Sequence, residues 1–198
     1  MAHYGTLVEY GLHCLLHLVT PAGPLPEAGS GDDGTGGYRS AFENPLPSSR
    51  DLAEYQGLPP AYVAKIFTRL EQAGLVISEA GLRGGYRLAR KPAAITVLDV
   101  VDALEGDKPL FRCREIRRDC VLYSDELPTW ATSGLCSIHA VMRSAEQQMR
   151  LVLAGTTLAD LAAQVTRKVP AEFRTASRNW FQDRNHDRLS AKKRQPGF

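Results

Sequence analysis

The first strongly patterned stretch, residues 6–19, reads TLVEYGLHCLLHLV and is apolar on nearly every face. Its length and leucine content favour a buried helix over a strand. The polar exceptions are Glu9, His13 and His17, which recur every four residues and therefore form one stripe along one face of the helix. Cys14 falls on the apolar part and is predicted to be a packed core thiol.

The pattern after residue 47 predicts two helices joined by a tight turn. Ser49 is predicted to be the N-cap of a helix over 50–56, which Gly57 ends. Two prolines at 59–60 suit the start of a second helix that runs to about residue 73, because its apolar residues follow helical spacing. Two helices joined in this way form a helix-turn-helix.

The next segment predicts two short strands on either side of a glycine-containing turn. Residues 75–79 and 86–89 predict a short hairpin around AGLRGG, and Thr96 then caps a helix over 97–104. This order makes the hairpin a wing, and the predicted fold class is mainly α with a winged helix-turn-helix.

The rest of the chain divides by composition. Residues 20–47 are rich in glycine, proline and serine and predict a flexible insert within a domain spanning 1–107. A cysteine-containing loop covers 108–136, and an amphipathic helix over 137–154 with a short helix after it fills 137–166. The polar, basic tail 167–198 is predicted to be disordered.

Composition narrows the class of protein. The chain has 198 residues and a formal charge of only +2, so any nucleic-acid binding must come from a local surplus of positive charge. It has neither an apolar run long enough for a membrane span nor a signal-peptide pattern. A cytoplasmic protein with reduced thiols is therefore expected. No motif of phosphate-binding, esterase or metalloprotease chemistry occurs, so an enzyme with a small-molecule substrate is not expected.

Positive charge gathers on the helix-turn-helix and wing. Residues 48–92 contain seven Lys/Arg against four Asp/Glu. Arginine, lysine, threonine and tyrosine can bind phosphates or base edges in double-stranded DNA, and glycines at a wing tip allow close approach to the minor groove. A protein-binding winged helix is the alternative. The candidate DNA contacts are Ser49, Arg50, Tyr62, Lys65, Thr68 and Arg69, the latter four predicted to face outward, with Arg83, Gly84, Gly85 and Tyr86 on the wing.

A family resemblance rests on RDLAEYQGLPPAYVAKIFTRLEQAGLVISEAGLRGGYRLAR followed by ITVLDVVDALEG. Over residues 5–19 and 45–165 the chain resembles the IscR, NsrR and RsrR group of bacterial winged-helix regulators. The resemblance implies a homodimer that binds a DNA operator, pairs through the long helix after the cysteines, and senses through an iron–sulfur cluster.

The same resemblance implies the cluster ligands. Cys113, Cys120 and Cys136 occupy the place of the family's three cysteines, although the second gap is longer than usual. In the RsrR branch, which this chain resembles most, Glu9 and His13 of the partner subunit would complete a [2Fe–2S] cluster. His139 is the alternative fourth ligand of a site within one chain.

Three other readings of the cysteines stay open. They are a [4Fe–4S] cluster, a zinc ion held by the three cysteines and His139, and a cluster-free sensor whose thiols are activated by neighbouring arginines and oxidised.

Overall fold

The computed structural model describes residues 4–19, 46–81, 84–106, 108–109, 111–123 and 127–193. Within them the chain is mainly helical, as predicted, with one two-stranded sheet. The helices are α1 Thr6–Val19, α2 Ser49–Gln56, α3 Pro60–Gln72, α4 Val97–Glu105, α5 Thr129–Thr132, α6 Ser137–Ala154, α7 Leu158–Lys168 and α8 Ala171–Lys193, and the strands are β1 Val76–Glu79 and β2 Gly85–Leu88.

The helix-turn-helix forms where the sequence predicted it. The N-cap of α2 is Ser48 rather than Ser49, because Ser48 and Asp51 make a reciprocal capping box in which each side chain accepts from the other's backbone N–H. The helix ends at Gly57 in a left-handed conformation with φ of 66°. The N–H of Leu58 then donates to the carbonyl of Ala53 at 2.8 Å, which fixes the turn into α3.

The wing is an antiparallel hairpin with Val76 opposite Leu88 and Glu79 opposite Gly85. Val76 and Leu88 are buried under the sheet, while the outer end of β1 is exposed. The predicted hairpin is confirmed, although β1 begins one residue later than expected and β2 lies one residue earlier in the chain at the expected length.

Helix α1 lies at the centre of the core. Cys14 and Leu15 are fully buried together with Ile66, Phe67 and Leu104 from α3 and α4. The predicted packed thiol is thus confirmed, and burial raises the pKa of Cys14 to about 12. A core thiol of this kind is inert toward metals and oxidants.

Helix α6 has the predicted bounds but packs lightly. None of its 18 residues is buried. It contacts α4 through a bidentate ion pair, in which Arg150 donates to the two carboxylate oxygens of Asp102 at 3.1 and 2.8 Å.

Two sequence predictions were wrong in this part of the fold. The tail was predicted to be disordered but forms α8 over Ala171–Lys193, because Phe181, which is only 2% exposed, anchors it to α1 and α2. The predicted flexible insert also ends earlier than residue 47. Leu46 and Pro47 are buried, and the carbonyl of Pro47 accepts from Tyr86 N–H at 2.9 Å. Residues 20–45 lie outside the described residues.

None of the helices described is both long enough and apolar enough to cross a lipid bilayer.

Candidate functional site

The exposed face of α3 is the first component of the candidate site. Lys65 and Thr68 are exposed, as predicted, and Ala61 and Gln72 join them at helical spacing opposite the buried residues of the same helix. The Thr68 hydroxyl donates to the Ala64 carbonyl at 3.0 Å, which leaves the oxygen of this exposed side chain able to accept a hydrogen bond. A lysine, a threonine, an amide and a small methyl side chain together can contact phosphates, base edges and thymine methyl groups.

Two residues predicted to face outward do not. Tyr62 is half-buried against α1: its hydroxyl lies 3.1 Å from that of Thr6, and its ring packs edge-on against Tyr10 with centroids 5.8 Å apart. Arg69 is half-buried and donates to the carbonyl of Leu104 at the end of α4. Both side chains hold α3 to its neighbours, and the outward orientation predicted for them was wrong.

The start of α2 is the second component. Ser49 is half-buried in the first turn, and Arg50 beside it is exposed. An exposed arginine at the beginning of a helix is well suited to a phosphate, because the helix dipole and the guanidinium attract the same anion.

The glycines of the wing serve internal packing. A Cβ on Gly85 would lie 2.5 Å from the carbonyl oxygens of both Leu46 and Pro47, and a Cβ on Gly84 would lie 2.1 Å from the carbonyl oxygen of Glu79. Both positions therefore need glycine so that backbone can approach backbone. Arg83, the predicted minor-groove contact, lies outside the described residues.

Tyr86 follows the two glycines and is half-buried, with its ring 4.5 Å from that of Phe67. Burial, and to a smaller degree the charge of Glu71, raises the pKa of Tyr86. Tyr86, the second residue of β2, therefore fastens the wing to α3 through its contact with Phe67.

The loop between α4 and α6 carries Cys113, Cys120 and Cys136, all half-buried and none in a disulfide. Glu115 has φ of 53°, which is strained for a residue with a side chain. This conformation lets its N–H donate to the Cys113 sulfur at 3.4 Å. Strained backbone is often retained where a site requires it.

Arg117 connects the two ends of this loop. Its pKa is raised, first by the hydrogen bond it donates to Glu115 and to a smaller degree by Cys136 and Cys113. It also donates to the carbonyl of Gly134 at 3.4 Å. Two cysteines that are 23 positions apart in the sequence thus lie within electrostatic range of one guanidinium, which can offset the negative charge of thiolate ligands.

His139 lies at the edge of the same loop. Its ring is 5.9 Å from that of Phe111, and it is among the groups that lower the pKa of Glu115, the largest of which is the hydrogen bond from Arg117.

Glu9 and His13 are both exposed, one turn apart on α1. Among the residues that the structure describes, no three His, Cys, Asp or Glu side chains converge on a point where a metal ion could sit. The donors present are of the types that iron accepts, thiolate on the loop and carboxylate with imidazole on α1. These donors are chemically suited to an iron–sulfur cluster, and within the described part of one chain they do not converge on a single site.

Sequence reasoning missed several of these residues. Ala61 and Gln72 could have been found from spacing alone, since they lie opposite the buried positions of α3. The position of Arg117 between two cysteines could not, because it depends on how an irregular loop folds.

The helix-turn-helix, the hairpin wing and the exposed face of α3 define a winged-helix DNA-binding protein. A family model described as Rrf2, an iron-dependent transcriptional regulator, matches residues 40–164. The chain belongs to this family of transcriptional regulators, and relatives of it in Mycobacterium tuberculosis and Aliivibrio salmonicida are named as HTH-type transcriptional regulators rather than enzymes.

Individual relatives agree with this assignment. An HTH-type transcriptional regulator of Mycobacterium tuberculosis is 40% identical over 123 residues, which cover 62% of this chain and 70% of that protein. The IscR regulator of Aliivibrio salmonicida is 31% identical over 121 residues, covering 61% and 65%. Among solved structures, T. potens IscR superposes with a TM-score of 0.54 at 25% identity, covering 83% of this chain and 88% of that one. CymR, the global cysteine regulator of B. subtilis, gives 0.52 at 25% identity, covering 83% and 98%.

Proposed function

We propose that this regulator is a homodimer that binds an operator through α3, the start of α2 and the wing, and that an iron–sulfur cluster shared between subunits sets its operator affinity. The observation that carries the proposal is the division of the donors. The thiols lie on one loop, and the exposed pair Glu9 and His13 lies on a different element.

The surface of α6 supports a dimer. Ile138, Val141 and Val152 are 67%, 68% and 70% exposed, and together with the exposed Ala145 they form one stripe along the helix. Fully burying an aliphatic side chain contributes about 1.5–3 kcal/mol, so a contiguous exposed stripe of this kind is typical of an interface. A second copy of the same helix is the occupant that the family resemblance implies.

The ligand set that we favour is the one of the RsrR branch. Side chains at i and i+4 on a helix lie about 5–6 Å apart, so Glu9 and His13 can bind one iron together. Thiolates from the loop of the other subunit, drawn from Cys113, Cys120 and Cys136, would bind the second iron of a [2Fe–2S] cluster. Such a cluster, when bound, supplies a one-electron redox centre, and imidazole ligation raises its reduction potential.

A route from α1 to the DNA-binding surface is present in the contacts. Tyr10 follows Glu9 directly, and its ring packs edge-on against the ring of Tyr62 in α3. Thr6, one turn before Tyr10, forms a hydrogen bond with the hydroxyl of Tyr62. A change in the position of Glu9 therefore acts on α3 through two side chains that already touch it. Tyr62 would thus act in coupling rather than as a direct DNA contact.

Substitution and spectroscopy test the ligand set. Freshly purified protein should be coloured, contain iron and sulfide, and change its affinity for operator DNA on reduction. Glu9→Gln and His13→Gln should each change the visible spectrum or the retention of iron, whereas His139→Gln, the matched control, should not.

The opposite pattern would contradict the shared site. If His139→Gln alone abolished the chromophore, the ligands would lie within one chain. One zinc per chain with no iron, even after anaerobic reconstitution, would instead identify the zinc-stabilised regulator.

A further inference from the structure

Helix α8 lies beyond the part of the chain that the family model matches, which ends at residue 164. We propose that the C-terminal end of α8 is a second DNA-contacting element. It binds backbone phosphates next to the start of α2 and so extends the stretch of duplex that the protein contacts. This inference rests on the DNA-binding surface proposed above.

The position of α8 is fixed by an aromatic cluster. The ring of Tyr55, near the end of α2, lies 5.2 Å from Trp180 and 5.0 Å from Phe181. His17 of α1 closes the cluster, with its ring 4.8 Å from Tyr55 and 5.5 Å from Phe181. Aromatic contacts of this kind stabilise packing beyond the area they bury.

Ion pairs fix the direction in which α8 runs. Arg184 pairs with Glu54, and one turn further on Arg188 lies 3.3 Å from the carboxylate of Asp51. Arg188 also donates to the carbonyl of Leu46 at 3.1 Å. Moving forward along α8 thus means moving backward along α2, so the two helices are antiparallel and α8 continues past the first residue of α2.

The charge of α8 is concentrated at this end. Residues 171–187 contain three Lys/Arg and three Asp/Glu, whereas residues 188–193, the end of the helix, contain three Lys/Arg and no acidic residue. From Arg188 to the last residue of α8, Lys193, a helix rises about 7.5 Å. The backbone of α8 therefore extends past Asp51 toward the N-terminal end of α2, the end that also carries the exposed Arg50.

This arrangement fits a nucleic-acid backbone better than an acidic protein surface. Arg50 and the exposed Lys65 of α3 belong to the surface proposed to bind DNA, and the end of α8 nearest the start of α2 is basic in sequence. Contacts to phosphates position a protein on DNA independently of sequence. The expected effect is on affinity, salt dependence and footprint length rather than on base preference.

The test compares two double variants of the full-length protein. Lys192→Ala/Lys193→Ala removes two charges from the last turn of α8, and Arg167→Ala/Lys168→Ala removes two exposed charges from the last turn of α7. Binding is measured as a function of salt on duplexes enriched by the wild type from a random-sequence library, each prepared as a short core and with ten additional base pairs on either side.

The expected result is specific to α8. The slope of log K against log salt should become shallower by about 0.9 for each lysine that contacts a phosphate. The advantage of the longer duplex should be lost in the α8 variant alone and restored by Lys192→Arg/Lys193→Arg. Far-UV circular dichroism checks that α8 remains folded.

Equal slopes and equal length dependence in the wild type and both double variants would overturn the α8 proposal while leaving the regulator intact. A wild type that enriches and binds no duplex would overturn the DNA-binding surface itself, and the α8 proposal with it.

Discussion

The burial of His17 makes the stability of this protein depend on pH in a predictable direction. The ring is held among Tyr55 and Phe181, and its Nε2 lies 2.7 Å from the side-chain nitrogen of Gln56. Burial, with a smaller effect from the charge of His13, lowers the pKa of His17 from 6.5 to about 4. Between pH 6.5 and about 4, the folded protein therefore keeps the His17 ring neutral, whereas the same ring in the unfolded chain is protonated.

The size of the effect follows from that difference. A gap of about 2.5 in pKa corresponds to about 3 kcal/mol at full protonation. The contribution of the neutral His17 ring to the free energy of unfolding is fully present above pH 6.5. It is lost as the pH falls from 6.5 toward 4, because the unfolded state binds the proton first. At pH 5 the loss due to His17 amounts to about 2 kcal/mol.

The assay is urea unfolding of metal-free protein at pH 7.5 and pH 5, followed by circular dichroism. His17→Gln keeps a hydrogen-bonding group next to Gln56 but cannot titrate, so it should lose about 2 kcal/mol less than the wild type between the two pH values. Both proteins share the same carboxylates, whose titration cancels in the comparison. Parallel losses in the two proteins would refute the reasoning.

Three further substitutions test separate contacts. Phe181→Ala should destabilise the protein by about 3–5 kcal/mol in urea unfolding and release α8 to proteolysis, because this ring is buried; a stable variant with a protected α8 would be contrary evidence. Gly85→Ala should cost about 1–3 kcal/mol, since its Cβ would meet the carbonyl oxygen of Leu46, and an unchanged unfolding midpoint would contradict this. Val141→Asp should shift sedimentation from dimer toward monomer with little effect on the helix, whereas the exposed control Gln147→Asp should not; two equal shifts would rule out a specific stripe.

Local chemistry made much of the fold predictable. The capping boxes at Thr96 and Thr157 and the left-handed Gly57 are determined by residues within a few positions of each other, so helix bounds follow from short-range pattern. The exposed Lys65 and Thr68 followed from the same periodicity.

The side-chain contacts and the helix that the sequence did not predict depend on residues that are distant in sequence. Nothing near Arg69 in the chain indicates that it reaches the carbonyl of Leu104, and nothing near Tyr62 indicates its contact with Thr6. The sequence of α8 predicted a polar tail because its apolar content is low. The two aromatic residues that anchor it, Trp180 and Phe181, contact Tyr55 of α2 and His17 of α1, which are distant in sequence. The proposed ligand set would draw on a second chain, which a pattern within one chain cannot describe.

The most direct measurement of the shared cluster uses a mixed dimer. One differently tagged copy carries Glu9→Gln/His13→Gln, and the other carries serine in place of Cys113, Cys120 and Cys136. Each homodimer then has only half of every ligand set, while the mixed dimer restores one complete site. We expect the isolated mixed dimer to contain one [2Fe–2S] cluster by iron analysis and visible absorption and both homodimers to contain none. A cluster in the Glu9→Gln/His13→Gln homodimer, or none in the mixed dimer, would contradict a site built across two subunits.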